Sequence, residues 1–151
     1  MRRRETVGDG LLVAGALALF VSLFLPWSHQ LSPAFLVRAR GNPVLQGIPA
    51  DPTAWQVYSA ADVALAMLAG ALLVVALTGA ALSLRIGSVA GVALAIAFTI
   101  HALAKPPTNR AGGLLALGYA PGSASAGAGE TVALVGLAAG AVGLLLSFTP
   151  D

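Results

Sequence analysis

Polar and apolar positions are segregated along this chain rather than interleaved. Four windows contain no Asp, Glu, Lys or Arg: 10–27, 63–84, 86–104 and 131–148, of 18, 22, 19 and 18 residues. Inside them apolar residues fall on every side of a helical wheel, with no polar stripe and no strand-like alternation. About 20 apolar residues at 1.5 Å rise cross the ~30 Å hydrocarbon core of a bilayer. In lipid only helices and closed barrels satisfy every backbone polar group. The pattern predicts an all-α membrane protein with one domain over 1–151. Its core is a four-transmembrane-helix bundle with spans at about 10–27, 63–84, 86–104 and 131–148. Outer segments 28–62 and 105–130 carry a small β-hairpin or irregular cap.

Composition agrees with this reading. The chain is 58% apolar and 9% charged, against roughly 45–50% and about 25% for a soluble domain. Fourteen charges are too few to solvate a surface of this size, and the high hydrophobicity excludes disorder. Arg2, Arg3 and Arg4 ahead of an apolar stretch resemble a signal peptide. The stretch ends in Pro26-Trp27-Ser28-His29 without a small-x-small cleavage site, so a retained first span is expected.

Orientation is less marked. With the N-terminus inside, Arg2, Arg3, Arg4 and Arg85 face four outer bases: Arg38, Arg40, Lys105 and Arg110. The Arg2–Arg4 cluster beside the first span, with the α-amino group, favours both termini cytoplasmic in the plasma membrane. Arg85 is expected in the short turn between the second and third spans. Trp27, Trp55 and Tyr58 then form an aromatic belt at the outer interface.

Thr6-x-x-Asp9 and Ser59-x-x-Asp62 match capping boxes with a short acid, and Glu130 starts the fourth span. These acids read as helix-end stabilisers. The sharper alternative is a proton or cation site at the membrane edge. Small residues recur every fourth position: Gly10, Ala14, Ala18 and Ser22; Gly87, Gly91, Ala95 and Thr99; and Gly136-x-x-x-Gly140 with Gly143. Such faces bring helix backbones close, within the bundle or between copies. The hairpins 10–84 and 86–148 echo one another at Val13-Ala14-Gly15 and Val89-Ala90-Gly91, as in a tandem duplication.

In the first outer segment, Phe35 to Arg40 alternates and Gly41-Asn42-Pro43 marks a turn, which predicts a β-hairpin with Arg38 and Arg40 on one face. That pair, with Trp27 and Trp55, is the expected outer contact surface, for lipid phosphates or an acidic partner. In the second segment, Gly112 to Leu117 is too short to span and fits the interface, and 121–129 reads as a Gly/Ala/Ser linker.

The chain has no cysteine, which removes disulfides and thiolate chemistry. His29 and His101 are a weak pair for a metal or haem, and His101 reads as an interfacial residue. No phosphate loop, acid pair or nucleophile–base set is visible. No catalytic residue, cofactor or metal site is therefore expected. The positive balance of two charges does not suggest nucleic acid.

Phe24-Leu25-Pro26-Trp27, Thr53-Ala54-Trp55-Gln56 and Ser59-x-x-Asp62-Val63 together resemble small four-span membrane proteins of unknown function common in high-GC Gram-positive bacteria. The resemblance covers the layout of the whole chain and those residues in detail. Seven Arg to one Lys in an Ala-rich chain suits such a genome. Those relatives often carry an acid before the proline pair after the third span, where this chain has Lys105. The layout also looks like that of claudin-type four-helix proteins, without the paired cysteines of their first outer loop.

The expected function is that of a non-enzymatic structural, accessory or partner-binding subunit. Its partners are the bilayer and itself or another membrane protein. The alternative is a small transporter or channel component acting as an oligomer, with Ser22, Thr78, Ser83, Ser88, Thr99 and His101 as the polar candidates. A membrane enzyme using His29, His101, Asp62 and Glu130 is the third reading.

Overall fold

The computed structural model describes residues 2–108 and 124–148, and the side chains from Thr6 onward. These residues form six α-helices. In chain order they are α1 (Arg2–Ser22), α2 (Pro33–Arg38), α3 (Ala54–Val57), α4 (Ser59–Thr78), α5 (Leu82–Ala104) and α6 (Ala128–Phe148). Two short strands, β1 (Ser28–His29) and β2 (Ser125–Ala126), pair antiparallel, with Ser28 opposite Ala126 and His29 opposite Ser125. Three helices, α4, α5 and α6, are long and apolar enough to cross a membrane, and 6–22 of α1 is a shorter apolar helix. Large apolar side chains such as Met67, Leu77 and Leu94 point outward from the bundle. A bundle that is apolar outside as well as inside suits lipid surroundings.

The four long helices alternate in direction, which gives the bundle a cap end and a termini end. α1 lies against α6 and α4, and α5 lies against α6 and α4. The core runs from Leu12, Ala16, Leu19 and Leu23 on α1, through Leu65, Leu72 and Val75 on α4, to Ala133, Leu137 and Leu144 on α6. α1 and α6 meet backbone to backbone. A Cβ on Gly15 would stand 2.6 Å from the Gly136 carbonyl oxygen, and one on Gly136 would stand 2.8 Å from that of Gly15. Gly143 closes the termini end in the same way, where an added Cβ would stand 2.8 Å from the Gly8 carbonyl oxygen.

Several boundaries differ from the expected ones for local reasons. α1 begins at Arg2 rather than 10, so Thr6 and Asp9 lie inside the helix and no cap forms there. It ends at Ser22 rather than 27. Ser22 Oγ donates to Leu19 O at 2.6 Å, and Pro26 offers no N–H to extend the ladder. α4 stops at Thr78 because Gly79 takes a left-handed conformation with φ 59°. The turn to α5 is therefore Gly79-Ala80-Ala81, and Arg85 sits in the first turn of α5, not in the turn.

The expected hairpin over 35–46 does not form. Ser32 caps α2 by accepting the Phe35 amide at 3.2 Å, and Pro33 supplies a preset first position. Leu31 and Phe35 then bury together against Leu36, Ala39, Leu45, Ile48 and Ala50. Helical spacing gathers these side chains on one side, whereas a strand would have divided them between two faces. Asn42 caps a single 3₁₀ turn, Pro43–Leu45. The expected interfacial piece Gly112 to Leu117, most of the linker from Pro121, and Arg110 lie outside the described residues.

Candidate functional site

The cap end is assembled around Trp27. Its indole Nε1 donates to the Ser22 carbonyl at 2.8 Å, which folds the side chain back over the end of α1. The Trp27 amide donates to Pro52 O at 2.9 Å, and Gln30 N to Ala50 O at 3.0 Å. Gln30 Nε2 also donates to Pro49 O. From the other side Gly127 N donates to Trp27 O at 3.1 Å and Gly129 N to Pro26 O at 2.8 Å. Ser28 Oγ reaches Pro107 O at 2.7 Å, just past the end of α5. Segments after α1, before α4, after α5 and before α6 thus share one hydrogen-bonded lid.

Trp27 is fully buried, so it belongs to neither the aromatic belt nor the outer contact surface expected of it. Its ring stands 6.1 Å from those of Tyr58 and Phe98, and these two meet edge-on at 5.0 Å. Trp55 remains partly exposed and lies 6.2 Å from Phe24. Arg38 and Arg40 are both exposed at the end of α2, with Val37 76% exposed beside them.

Beneath the aromatic cluster lie two carboxyl groups. Asp62 is in the first turn of α4, its amide donated to Tyr58 O at 3.0 Å. Glu130 is in the first turn of α6, next to the Gly129 that abuts Trp27. Both side chains are 0% exposed, and among the described residues neither carboxyl meets a side-chain hydrogen-bond partner. The Gly127 amide near Glu130 is given to the Trp27 carbonyl. The Asp62 carboxylate accepts no helix N–H and so does not cap α4, whereas the Gly127 amide ahead of α6 also bears on the Glu130 carboxylate, as expected of an acid at a helix start. The Tyr58 phenol feels both of them. Burial first, then the Glu130 and Asp62 carboxylates, hold it above its ordinary value.

The other candidates are scattered. His29 Nδ1 lies 2.6 Å from Asp51 Oδ1 in an exposed pair on the lid, and His101 is exposed on α5. Thr99 is buried and returns its hydroxyl proton to Ala95 O at 2.8 Å, whereas the buried Ser88 hydroxyl has no partner. Among the described residues no group of three or more His, Cys, Asp or Glu could hold a metal.

Of the small-residue positions, Gly136 meets α1, a Cβ on Gly140 would stand 3.2 Å from Leu72 of α4, and Gly91 lies against Leu68. Gly87 and Gly10 face open space. The α1 face that packs is Gly8, Leu12, Gly15 and Leu19; of the expected face Gly10 and Ala14 are exposed, while Ala18 meets Gly136 and Ser22 is buried. α5 is the least embraced helix. Apolar clefts of about 240 Å³ and 210 Å³ open on its two flanks, one toward α4 and one toward α6.

The sequence marks both acids at helix starts, where an acid is ordinary and solvated, and gives no sign that they are buried. Their burial is a property of the assembled cap end, where both side chains are 0% exposed. Comparison of the chain with protein-family models, with curated proteins and with solved structures gave no match.

Proposed function

We propose that the chain is a non-enzymatic four-span protein of the cytoplasmic membrane that serves as an accessory, partner-binding subunit. α1 is the fourth span in this reading. It runs beside α6 from Gly8 at the termini end to Ser22 at the cap end, so it shares the depth of its neighbours. Both termini are placed inside. Arg85 donates to the Ser147 carbonyl at 2.8 Å and so stands at the termini end, the end at which α1 begins with Arg2–Arg4.

The observation that carries the partner-binding reading is the locked lid. The Ser32 cap and the Leu31–Phe35 packing fix α2 on this lid with Val37 and Arg38 on it and Arg40 just past it, all exposed, and a preordered surface loses little entropy on binding. The two bases favour a partner with an acidic outer face. The test is cross-linking in native membranes followed by mass measurement in mild detergent. A complex that Arg38→Glu with Arg40→Glu dissolves, and that Met67→Ala leaves intact, supports the reading. A monomer with no cross-linked companion defeats it.

A second reading, a small transporter or channel component, is favoured by the buried unpaired acids Asp62 and Glu130. Intramembrane acids are costly and mark ion paths in many carriers. Solute or ion flux across proteoliposomes holding the purified chain separates it from the first.

A further inference from the structure

Two carboxyl groups closed away from water, with no side chain donating to them among the described residues and only the Gly127 amide bearing on Glu130, need a source of positive charge. An ionised carboxylate moved out of water costs several kcal/mol unless a counter-charge or donors replace its hydration. The surrounding elements offer no such group among the described residues. From Gly10 to Ser22, α1 has no ionisable side chain. On α5, Arg85 is tied to the Ala80 and Ser147 carbonyls at the far end, and His101 is exposed. Lys105, just past α5, is also exposed. On the lid, His29 faces Asp51, and Arg38 and Arg40 are exposed. The ionisable neighbour that bears on both acids is the Tyr58 phenol, which is neutral at physiological pH.

We propose that Asp62 and Glu130 form, with Tyr58, a binding site for one small monovalent cation, a proton or an alkali-metal ion, at the cap end of the bundle. Three features of the place select this ligand. Both carboxyls are wholly covered, and Gly129 leaves no gap beside the Trp27 ring, so a lysine or arginine from another chain has no way in without opening the lid. Carboxyl and phenol oxygens are hard donors suited to protons and alkali ions. Each acid also stands in the first turn of its helix, where the partial positive charge of the N-terminus offsets part of the burial cost of the carboxylate. Loaded and empty states are thereby both within reach. The site holds whether the lid binds a partner or the bundle conducts.

The experiment uses the full chain in lipid nanodiscs with Trp55→Phe and Tyr119→Phe, which leaves Trp27 and Tyr58 as sole reporters. Trp27 emission is followed from about pH 4 to about pH 9 in choline buffer, a range that brackets carboxyl titration in and out of burial. The scan is repeated in about 10 and about 100 mM sodium. The site predicts a transition in emission that Asp62→Asn or Glu130→Gln displaces and the double variant abolishes. A midpoint unmoved by sodium identifies a proton site. A midpoint that falls by about one pH unit per tenfold sodium identifies an alkali ion competing with protons.

In parallel, the unsubstituted chain is treated with dicyclohexylcarbodiimide, which adds to protonated carboxyls in apolar surroundings, and peptides are weighed. Labelling of Asp62 or Glu130 that rises as pH falls supports the site without any acid variant. Emission flat across pH and sodium, a transition that survives in the double variant, or no label on either acid at low pH overturns the proposal.

Discussion

Gly129, in the first turn of α6, abuts the Trp27 indole so closely that a methyl group on its Cα would overlap the ring and also come within 2.9 Å of the Ser22 carbonyl oxygen. The absent side chain is what lets the Trp27 ring cover the cap end and keep its bond to Ser22. Gly129→Ala is therefore expected to push the indole outward and cost about 1–3 kcal/mol, the usual range for overpacking. The check is thermal unfolding in detergent together with Trp27 emission in a Trp55→Phe background. The variant should melt lower and emit further to the red. A variant with unchanged melting and emission would show that the ring does not need this contact.

The α1–α6 seam gives a sharper contrast, because its obstruction is backbone. Gly15→Ala would set a methyl group 2.6 Å from the Gly136 carbonyl oxygen and 2.6 Å from the Gly140 amide nitrogen. Neither can move without separating the helices, so a loss of at least about 1–3 kcal/mol is expected. Gly10→Ala, about one and a half turns away on an open face, should be neutral or gain up to about 1 kcal/mol in helix propensity. Denaturation in mixed micelles compares the two. Equal stability of Gly15→Ala and Gly10→Ala would contradict the packing.

This contrast also shows where the sequence was informative. Charge-free windows located the long helices, because their signal is composition and needs no partner. The packing face of α1 was hidden, since Gly10 and Gly15 look alike in a chain rich in small residues and only the α6 backbone distinguishes them. The lid was hidden for a different reason. Alternation from Phe35 to Arg40 suggested a strand, but Ser32-Pro33 starts a helix and the Leu31–Phe35 contact rewards it. Asp62 and Glu130 were visible as acids at helix starts, but their complete burial was not, because it depends on how the distant ends of the helices come together at the cap end.

Arg85 joins two helix ends. Its Nε donates to Ala80 O at 3.0 Å and its Nη1 to Ser147 O at 2.8 Å, so it satisfies a carbonyl of the last turn of α6 that has no helical partner. Arg85→Met keeps the length and removes the donors. Its expected cost is about 1.5–3 kcal/mol, that of hydrogen bonds to a charged group. Hydrogen exchange at the last turn of α6 should rise first, and exchange at the cap end should stay as it was. Uniform loosening of both ends would refute the local role.

Tyr58 reports on the two buried acids without any ligand. Burial, then Glu130 and then Asp62 raise its phenol above the ordinary value of about 10. The raised group is neutral in the folded chain at pH values where the unfolded chain has begun to ionise. The stability linked to Tyr58 is thus complete below about pH 10 and is lost as pH climbs through the folded value. In a Tyr119→Phe background the phenolate absorbance near about 295 nm follows Tyr58 alone, and its midpoint should lie above the ordinary tyrosine value. Glu130→Gln should lower that midpoint more than Asp62→Asn, in the order of their influence. Neither should return it to the ordinary value, because burial is the larger cause. A midpoint indifferent to both substitutions would mean that Tyr58 and the two carboxyls do not share one chamber.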